Sequence, residues 1–432
     1  MAVKQQGKLA ILGGECVIAA GTIKGWPPVD KTDEELVLKA LHATNQSRGE
    51  QSLAFEREFA EWNGSKHAIF TNSGTAALHM GLVGCGVSAG DHVLVTAYSW
   101  SSSATCALHH DAIPIFVDID FDTINMDEAK IEAAITPRTK AIIAVYLHGL
   151  AMNMDKVMAI ARKHNLKVVE DACQAHGATF NGKKVGNFGD AAAFSLNQNK
   201  CLSSGEGGIF VTNDDEVKQR ASQLWSFGET RTPEQSRDYH AYALGWMYRS
   251  NEITAAFARA QLMKYPGYFE QLRANGNLLH RKLCGIKGLI QPTEPKGHVH
   301  NWYNYNIRID MDAVGWRGNP RTMRDAVVKA IKGEGVPVSV WQQFILPEMT
   351  VFQAKNAYGH GYPWSIPGAD VGVDYHPSRF PVAQRHCDTY FALVQALRAP
   401  NGTDIAEKVA EGIAKVFENI GKLDPEQILA KK

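Results

Sequence analysis

The sequence lacks an excess of charge of either sign. Its 432 residues include 45 Lys plus Arg and 45 Asp plus Glu, so no global electrostatic field would draw the chain to nucleic acid or to an anionic membrane. No apolar run approaches the length needed to span a bilayer, and residues 1–7 lack the basic and then apolar pattern of a secretory signal. We therefore expect a cytoplasmic protein that binds neither nucleic acid nor membrane, and any bound anion must be recognised locally.

Paired cysteines and metal-ligand spacings are also missing. The seven cysteines are scattered without a CxxC pair, which is typical of reduced thiols in a cytosolic chain. The histidines at positions 109–110 and at 298 and 300 have no Cys or carboxylate partner at ligand spacing. The sequence therefore predicts no metal site. Its hydrophobic content of 45% is enough for one large core and a second, smaller domain.

Short runs rich in Val, Ile and Ala alternate with segments of helix length through the first half of the chain. The predicted strands are Ala68–Thr71, Val93–Thr96, Ile113–Val117, Ala141–Val145, Leu166–Glu170 and residues 191–196 and 208–212. Strands that are apolar on both faces and are joined by helices form largely parallel sheets covered on both sides. The pattern predicts an α/β fold with a mixed, mostly parallel seven-stranded sheet between helices.

The pattern changes to one long helix from about Asn251 onward. We place a domain boundary near residue 270, which gives an N-terminal arm and large domain over residues 1–270 and a smaller domain over residues 271–432. The second part contains a strand-like segment at residues 303–309 and helical patterns at 323–332 and 404–420. Mixed strands and helices of this kind predict a smaller α+β domain.

A turn of small residues follows the first predicted strand, at Ser73, Gly74 and Thr75. Ligands of mostly parallel sheets collect at the carboxyl ends of the strands. Backbone amides at the start of a helix, with the hydroxyl of Ser73 or Thr75, can hold a phosphate group without a basic residue. An ordinary helix N-cap is the alternative interpretation of the same residues.

Two charged residues follow later strands. Asp171 comes directly after Val168–Glu170, and Lys200 lies between the strand at residues 191–196 and the run Gly205–Gly208. A lysine amine can hold an aldehyde cofactor as a Schiff base, and a carboxylate can keep a pyridine nitrogen protonated. This arrangement predicts pyridoxal phosphate as cofactor, with Lys200 and Asp171 as the catalytic pair. Asp171 could alternatively cap a helix or a turn.

Three more polar or aromatic residues accompany this pair. Gln174 could hydrogen-bond the hydroxyl of the cofactor ring, and His176 could orient Asp171 or fill the corner between strand and loop. Trp100, after the second predicted strand, could stack on the cofactor ring or belong to the core.

Four segments carry a family resemblance in their order and spacing. They are Ser73–Leu78, Glu170–Gly177, Gly186–Asp190 and Phe194–Lys200 followed by Gly205–Gly208. The chain resembles the DegT/StrS-type sugar aminotransferases, which are fold-type I enzymes that use pyridoxal phosphate. The resemblance extends from about residue 9 to residue 420.

The resemblance implies a role for each matching residue. Lys200 is expected to be the Schiff-base lysine, and Asp171 is expected to pair with the pyridinium nitrogen. The other cofactor-binding residues that it implies are Ser73, Gly74, Thr75 and Ser195 at the phosphate, Gln174 at the ring hydroxyl and Trp100 on the face of the ring.

The resemblance also implies a homodimer, or a larger oligomer, with shared active sites. Arg249 falls in the segment that reaches the neighbouring subunit's cofactor in these enzymes. The sequence departs from the family at Met247, where many relatives have Asn. Arg249 or Asn251 is therefore expected to make the cross-subunit phosphate contact.

The implied reaction moves an amino group from L-glutamate or L-glutamine to a carbonyl. The acceptor would be a sugar, sugar acid, nucleotide sugar or cyclitol, in the biosynthesis of an amino sugar or aminocyclitol for a surface polysaccharide or a secondary metabolite. Residues 9–14, Trp26-Pro27 and Gln198 resemble the branch that forms aminocyclitols and aminobenzoates. The candidate acceptor contacts are His176, Arg48, Tyr303 and Trp341.

Two alternative functions stay open from the sequence. A branch of the family uses the same cofactor for sugar dehydration with His in place of the lysine, and a few relatives carry out other eliminations while keeping the lysine. A non-catalytic binding or regulatory protein would be expected to lose Lys200 or Asp171, and both are present.

Overall fold

The computed structural model describes residues 7–230, 239–393 and 395–430. The strands in these ranges are β1 (His67–Thr71), β2 (His92–Thr96), β3 (Ile113–Val117), β4 (Thr139–Val145), β5 (Lys167–Asp171), β6 (Thr179–Phe180), β7 (Lys183–Lys184), β8 (Ala191–Ser195), β9 (Gly208–Thr212), β10 (Leu289–Ile290), β11 (His298–Val299), β12 (Tyr305–Ile309), β13 (Val338–Ser339) and β14 (Tyr390–Leu393). The α-helices are α1 (Lys31–Leu41), α2 (Glu50–Asn63), α3 (Gly74–Gly84), α4 (Ser102–Leu108), α5 (Ile131–Ala134), α6 (Met154–Lys163), α7 (Asp215–Trp225), α8 (Glu252–Leu283), α9 (Pro320–Gly333), α10 (Thr350–Gln353), α11 (Pro381–Thr389), α12 (Thr403–Glu418) and α13 (Pro425–Ala430).

Seven strands form the central sheet, in the order β1-β9-β8-β5-β4-β2-β3. β9 runs antiparallel to both β1 and β8, and the other pairings are parallel. β2, β3, β8 and β9 are buried at every position, as strands are when helices cover both faces of a sheet. The predicted mixed, mostly parallel seven-stranded sheet is confirmed, and so is the α/β fold class.

The long helix α8 connects the two parts of the chain. Asn251 caps its start, since the side-chain oxygen accepts from the backbone N–H of Thr254 at 3.0 Å. The helix then continues for 32 residues with Pro266 inside it, and α1, α2 and α12 pack against it. Residue 270 therefore lies within a continuous helix, and the division at that residue stays a prediction.

The C-terminal part has its own antiparallel sheet, in the order β10-β12-β14-β13. Helices α9, α11 and α12 carry buried apolar faces on this part of the chain. Asn319 accepts from the N–H of Arg321 and Pro320 takes the first position of α9, where proline lacks only an N–H that would stay unpaired. The predicted smaller α+β unit is confirmed.

Two contacts bring distant segments to the edge of the large sheet. β11 pairs with β6, and next to it the amide of Asn301 donates to the carbonyl oxygens of Gln174 at 2.9 Å and His176 at 3.1 Å. In the N-terminal arm, the indole N–H of Trp26 donates to the carbonyl oxygen of Lys200 at 2.8 Å. Within the described ranges, no helix combines the length and the apolar character that a membrane span requires.

Candidate active site

A cavity of about 600 Å³ opens at the carboxyl ends of β1, β2, β4, β5 and β8. The segments that follow these strands form most of its wall, and the C-terminal part completes it. The predicted site residues that line the cavity are Ser73, Gly74, Thr75, Trp100, Asp171, Gln174, Ser195, Lys200, Tyr303 and Trp341. No group of three or more His, Cys, Asp or Glu among the described residues is arranged to hold a metal ion.

The turn between β1 and α3 has the geometry of an anion site. Ser73 is the N-cap of α3, and its Oγ accepts from the N–H of Ala76 at 3.1 Å. A Cβ atom on Gly74 would lie 2.8 Å from Ser195 Cβ and 2.9 Å from Cys173 Sγ. Only glycine permits this close approach, which places the Ser195 side chain beside the first turn of the helix.

Hydroxyl groups surround the same helix start. Thr75 Oγ1 donates to Ser102 Oγ at 2.9 Å, and Ser102, which the sequence prediction missed, also lines the cavity. Lys200 is the only Lys or Arg among the described residues that line the cavity. A phosphate group would therefore be held by backbone N–H groups, hydroxyls and the helix dipole.

Asp171 ends β5 and is 5% exposed. Its Oδ2 accepts from Ser103 Oγ at 2.7 Å, and its Oδ1 accepts from the N–H of Cys173 at 3.2 Å. Ser103 Oγ lies 2.7 Å from Ser99 Oγ. Neither serine was predicted, although the spacing of four residues within the serine-rich run at 99–103 is visible in the sequence.

Glu170 points to the opposite face of the strand and is fully buried. Its carboxylate accepts from the backbone N–H groups of Gly186, Phe188 and Gly189 at 2.6, 2.6 and 2.7 Å. It also accepts from the hydroxyl of Tyr146 at 2.6 Å. These bonds explain the segment Gly186–Asp190: its turn is held in place by Glu170, immediately behind the cavity.

Lys200 lies in the loop between β8 and β9, with its amine 5.0 Å from the centre of the Tyr303 ring. Burial lowers the pKa of Lys200, but Tyr303, Cys173 and Asp171 outweigh burial, so that the pKa is raised overall. In the absence of a bound aldehyde the amine is therefore protonated at neutral pH. It must lose a proton before it can form a Schiff base.

Gln174 faces the cavity with a fixed amide orientation. Its Oε1 accepts from the backbone N–H of His148 at 2.7 Å. Because the oxygen is used in this way, the group that Gln174 can offer to a ligand is its N–H₂ donor. A donor at this position suits the predicted contact with a ring oxygen, which stays a prediction.

Aromatic side chains form the outer wall. Trp100 is 56% exposed at the mouth of the cavity, and its ring lies 6.5 Å from that of Trp341. Tyr303 and Trp341 come from the C-terminal part and lie more than 100 residues from the lysine or the acid in sequence. Stacking of Trp100 on the cofactor ring and contact of the other two with the acceptor stay predictions.

His176 lies outside the cavity lining. Its ring is fully buried, with ring centres 5.4 Å from Phe194 and 6.2 Å from Tyr265. Burial lowers the pKa of His176 to about 3, so the ring is neutral at physiological pH. The position favours the interpretation of His176 as a packing residue over the one in which it contacts the acceptor.

The two predicted arginines also lie outside the lining. Arg48 forms an ion pair with Glu56 at 2.7 Å and lies over the ring of Trp225. Arg249 lies over the ring of Phe227 and pairs through its backbone with Thr71, at the end of β1. Neither arginine contributes to the cavity of its own chain, and a contact with a neighbouring subunit's cavity stays a prediction for Arg249.

The family comparison covers most of the chain. Residues 27–365 match the DegT/DnrJ/EryC1/StrS aminotransferase family. The chain is 37% identical over 316 residues to GDP-perosamine synthase of Caulobacter vibrioides, covering 72% of this chain and 81% of that protein. It is 35% identical over 327 residues to L-glutamine:2-deoxy-scyllo-inosose aminotransferase of Micromonospora echinospora, covering 73% of this chain and 78% of that protein.

Solved structures agree with the family comparison. The crystal structure of 3-amino-5-hydroxybenzoic acid synthase is 29% identical and superimposes with a TM-score of 0.79, covering 92% of this chain and 98% of that protein. A half-buried lysine, a strand-end carboxylate and a helix start that can seat a phosphate are groups that suit pyridoxal phosphate. The chain therefore belongs to the DegT/DnrJ/EryC1/StrS aminotransferase family and is a pyridoxal-phosphate-dependent enzyme.

Proposed function

We propose that the protein transfers an amino group from L-glutamate or L-glutamine to the carbonyl carbon of a small polyhydroxylated acceptor, a cyclitol or a free sugar. The observation that carries the proposal is the convergence of Lys200, Asp171 and the start of α3 in one cavity. One cavity then contains an amine that can bind the cofactor's aldehyde, a carboxylate for its ring nitrogen and a helix start that can bind its phosphate.

Some residues of the cavity would bind the cofactor, and Lys200 would transfer a proton. When bound, pyridoxal phosphate supplies an aldehyde that can carry an amino group and a ring that takes up electron density. Asp171 would face the ring nitrogen and stabilise its positive charge. Gly74, Thr75 and Ser195 would hold the phosphate, and the Lys200 amine would take the proton from the α-carbon of the amino donor.

The lining of the cavity supports an uncharged acceptor. Once Lys200 and Asp171 are committed to the cofactor, Glu206 is the remaining charged residue among the described lining residues. Asn199, Asn304 and Ser339 offer neutral hydrogen-bonding groups of the kind that recognise hydroxyls. The matches to an inosose aminotransferase and to an aminobenzoate-forming enzyme support the same choice, whereas the match to GDP-perosamine synthase makes a nucleotide-linked keto sugar the alternative acceptor.

A panel of acceptors tests the proposal directly. Purified enzyme with pyridoxal phosphate and either L-glutamine or L-glutamate would be supplied with inososes, free keto sugars and nucleotide-linked keto sugars, and the amine product measured by mass spectrometry. We expect amination of an inosose or a free keto sugar. Amination confined to nucleotide-linked sugars would contradict the choice of acceptor, and release of water or ammonia without amine transfer would indicate an eliminase.

The variant Lys200→Ala tests whether Lys200 is the catalytic lysine. Loss of the amine removes both cofactor attachment and proton transfer, so turnover is expected to fall by more than about 1,000-fold. Lys156→Ala, an exposed position on α6, is the matched variant and should retain wild-type turnover. Full turnover by Lys200→Ala would refute the assignment of the catalytic lysine.

We also propose that a second copy of the chain completes the site. Phe227, Leu244, Trp246 and Met247 are exposed apolar side chains in two adjoining segments, since the N–H of Phe227 donates to the carbonyl oxygen of Trp246. An exposed apolar surface of this kind is typical of a subunit interface. The segment continues into Arg249, which makes Arg249 the candidate for the cross-subunit contact. Asn251 caps α8 through its side-chain oxygen, which leaves its N–H₂ group as the second candidate donor to the partner's phosphate.

Mixing two inactive variants tests the shared site. If Arg249 acts in the partner's cavity, Lys200→Ala and Arg249→Ala subunits that exchange freely give heterodimers with one intact site. Turnover should then recover to about one quarter of the wild-type value, because about half of the dimers are mixed and each has one active site. No recovery after confirmed subunit exchange would place Arg249 in the cavity of its own chain, and full turnover by Arg249→Ala alone would place it outside catalysis.

A further inference from the structure

The strongest unassigned feature of the site is a row of three buried polar side chains that ends on the catalytic acid. Ser99, Ser103 and Asp171 are 1%, 2% and 5% exposed. The two oxygen-to-oxygen distances along the row are both 2.7 Å. One buried hydroxyl, that of Ser103, thus contacts a carboxylate oxygen of Asp171, and a second, that of Ser99, contacts the first.

The direction of the protons follows from the chemistry of the groups. A carboxylate accepts and cannot donate, so the single proton of Ser103 is directed at Asp171 Oδ2. Ser103 then has only lone pairs left for its other neighbour, and Ser99 must donate to it. Both protons point toward the carboxylate, and each bond polarises the next.

The contact fixes the orientation of the acid. Ser103 holds Oδ2, and the N–H of Cys173 holds Oδ1 more weakly at 3.2 Å. With one donor on each oxygen, rotation of the carboxylate about its Cβ–Cγ bond would break at least one of the two bonds. Both bonds are strengthened by the charge of the acceptor, and the hydroxyl contact is the stronger restraint because it is 0.5 Å shorter (2.7 against 3.2 Å).

The same segment also carries the stacking candidate. The carbonyl oxygen of Trp100 accepts from the N–H of Ser103 at 3.1 Å, at the entrance to α4. Trp100, which would cover one face of the cofactor ring, and Ser103, which orients Asp171 at the ring nitrogen, therefore belong to one turn. Displacing Ser103 would disturb the geometry of both.

We propose that Ser103, supported by Ser99, is a positioning residue that holds the Asp171 carboxylate in the orientation required at the cofactor's ring nitrogen. This role rests on the proposed transamination. Ser103 acts through Asp171 and does not itself exchange a proton with the substrate. In the alternative interpretation, the hydrogen bond between Ser103 and Asp171 only holds α4 against β5. Its loss would then affect folding and cofactor retention but not the electronic state of the bound ring.

The test compares four variants as purified holoenzymes. Ser103→Ala removes the bond, Ser103→Thr keeps a hydroxyl, and Ser99→Ala removes only the supporting donor. Ser101→Ala is the matched control, since Ser101 begins α4 without a side-chain capping bond. The measurements are the pH dependence of the visible absorption band of the bound cofactor, the rate of the amino-donor half-reaction at saturating donor, its KM, and the unfolding temperature.

We expect Ser103→Ala to slow the half-reaction by roughly 10- to 100-fold, the range seen when a supporting hydrogen bond to a site ligand is removed. The pH midpoint of the visible band should shift, while KM for the donor and the unfolding temperature stay near wild type. Ser103→Thr should restore most of the rate, Ser99→Ala should shift the band in the same direction by less, and Ser101→Ala should match wild type.

Two results would overturn the inference. One is a wild-type band titration and half-reaction rate in Ser103→Ala. The other is a loss of rate in Ser103→Ala that cofactor release or unfolding explains entirely, together with a visible band in Ser99→Ala that titrates as in the wild type. If the wild-type enzyme itself fails to bind pyridoxal phosphate or to transfer an amino group, the proposed function fails instead, so the two failures are distinguishable.

Discussion

Glu170 and Asp171 are adjacent acids at the end of one strand, and the molecule uses them for different purposes. Glu170 is fully buried on the core side and accepts four hydrogen bonds. Asp171 lines the cavity and has two protein donors. Successive side chains of a strand point to opposite faces, so one residue step separates a carboxylate buried in the core from one that lines the cavity.

The difference shows how the site is stabilised. Burial raises the pKa of Glu170, and the donors from Tyr146, Gly189, Gly186 and Phe188 oppose that rise. Every lone pair of this carboxylate is used within the protein, so it can only hold its surroundings in place. Asp171 keeps acceptor capacity that its protein neighbours do not use, which is what a ligand with a protonated ring nitrogen requires.

Amide substitution at each position should separate the two roles with the largest effects. Asp171→Asn cannot stabilise a positive ring nitrogen, so we expect kcat to fall by roughly 100- to 1,000-fold, the range found when a preorganised electrostatic partner is removed, with the unfolding temperature unchanged. Glu170→Gln places an N–H₂ group against N–H donors, which should lower the free energy of unfolding by about 1–3 kcal/mol and leave kcat of the folded enzyme within a few-fold. Steady-state kinetics and chemical denaturation measure both. A reversal of the two phenotypes would overturn the comparison.

Gly74→Ala is expected to act on the cavity side with an intermediate effect. The new methyl group would meet Ser195 and Cys173 at distances below 3 Å, which forces the start of α3 away from Ser195. We expect the affinity for pyridoxal phosphate to fall by at least about tenfold, with an overpacking cost of about 1–3 kcal/mol. Titration of the apoenzyme with the cofactor gives the affinity.

Gly267→Ala is the matched control for this change. Apart from its chain neighbours and the backbone of its own helix, no heavy atom of the described residues lies within 4 Å of a Cβ placed on Gly267 in α8, so alanine there should raise stability slightly and leave cofactor affinity unchanged. Equal cofactor affinity in Gly74→Ala and the wild type would show that the helix start does not hold the phosphate.

The smallest effect expected at neutral pH concerns His176, which is fully buried like Glu170. Its pKa is lowered to about 3 because burial disfavours the charged ring, whereas the unfolded chain takes up the proton near pH 6.5. The unfolded state therefore binds more protons, and stability falls as the pH drops below about 6.5, by up to about 1.4 kcal/mol per pH unit.

His176→Leu should remove this contribution. The free energy of unfolding should depend less steeply on pH between about pH 6.5 and pH 4. Part of the pH dependence should remain, because burial also lowers the pKa values of His79 and His148 to about 3. KM for the acceptor should stay close to wild type. A large rise in that KM at neutral pH would restore His176 as an acceptor contact.

Much of the fold was predictable because hydrophobic pattern and topology agree. Runs such as Ile113–Val117 are apolar at every position, which indicates burial on both faces. Parallel strands bring their carboxyl ends to one edge, so residues after separate strands, such as Gly74, Asp171 and Lys200, could be expected to meet there. That expectation required no knowledge of distances.

The residues whose place relative to the cavity the sequence did not indicate depend on side-chain direction. His176 and Gln174 belong to one short turn, but only Gln174 faces the cavity. Ser103 carries its signal in the spacing to Ser99, yet nothing in that spacing tells which carboxylate the hydroxyl meets. Arg48 looked available in its loop and is paired with Glu56.

The sequence by itself determined the chemistry: a lysine and an acid after successive strands of a parallel sheet, with a small-residue helix start, suit one kind of cofactor. The tertiary structure decided the surroundings of that chemistry. Tyr303 and Trp341 reach the cavity from the C-terminal part of the chain, and Ser103 reaches Asp171 from helix α4, which follows β2. Local pattern encodes which face of an element is buried, whereas contacts between elements depend on packing distances that no local pattern contains.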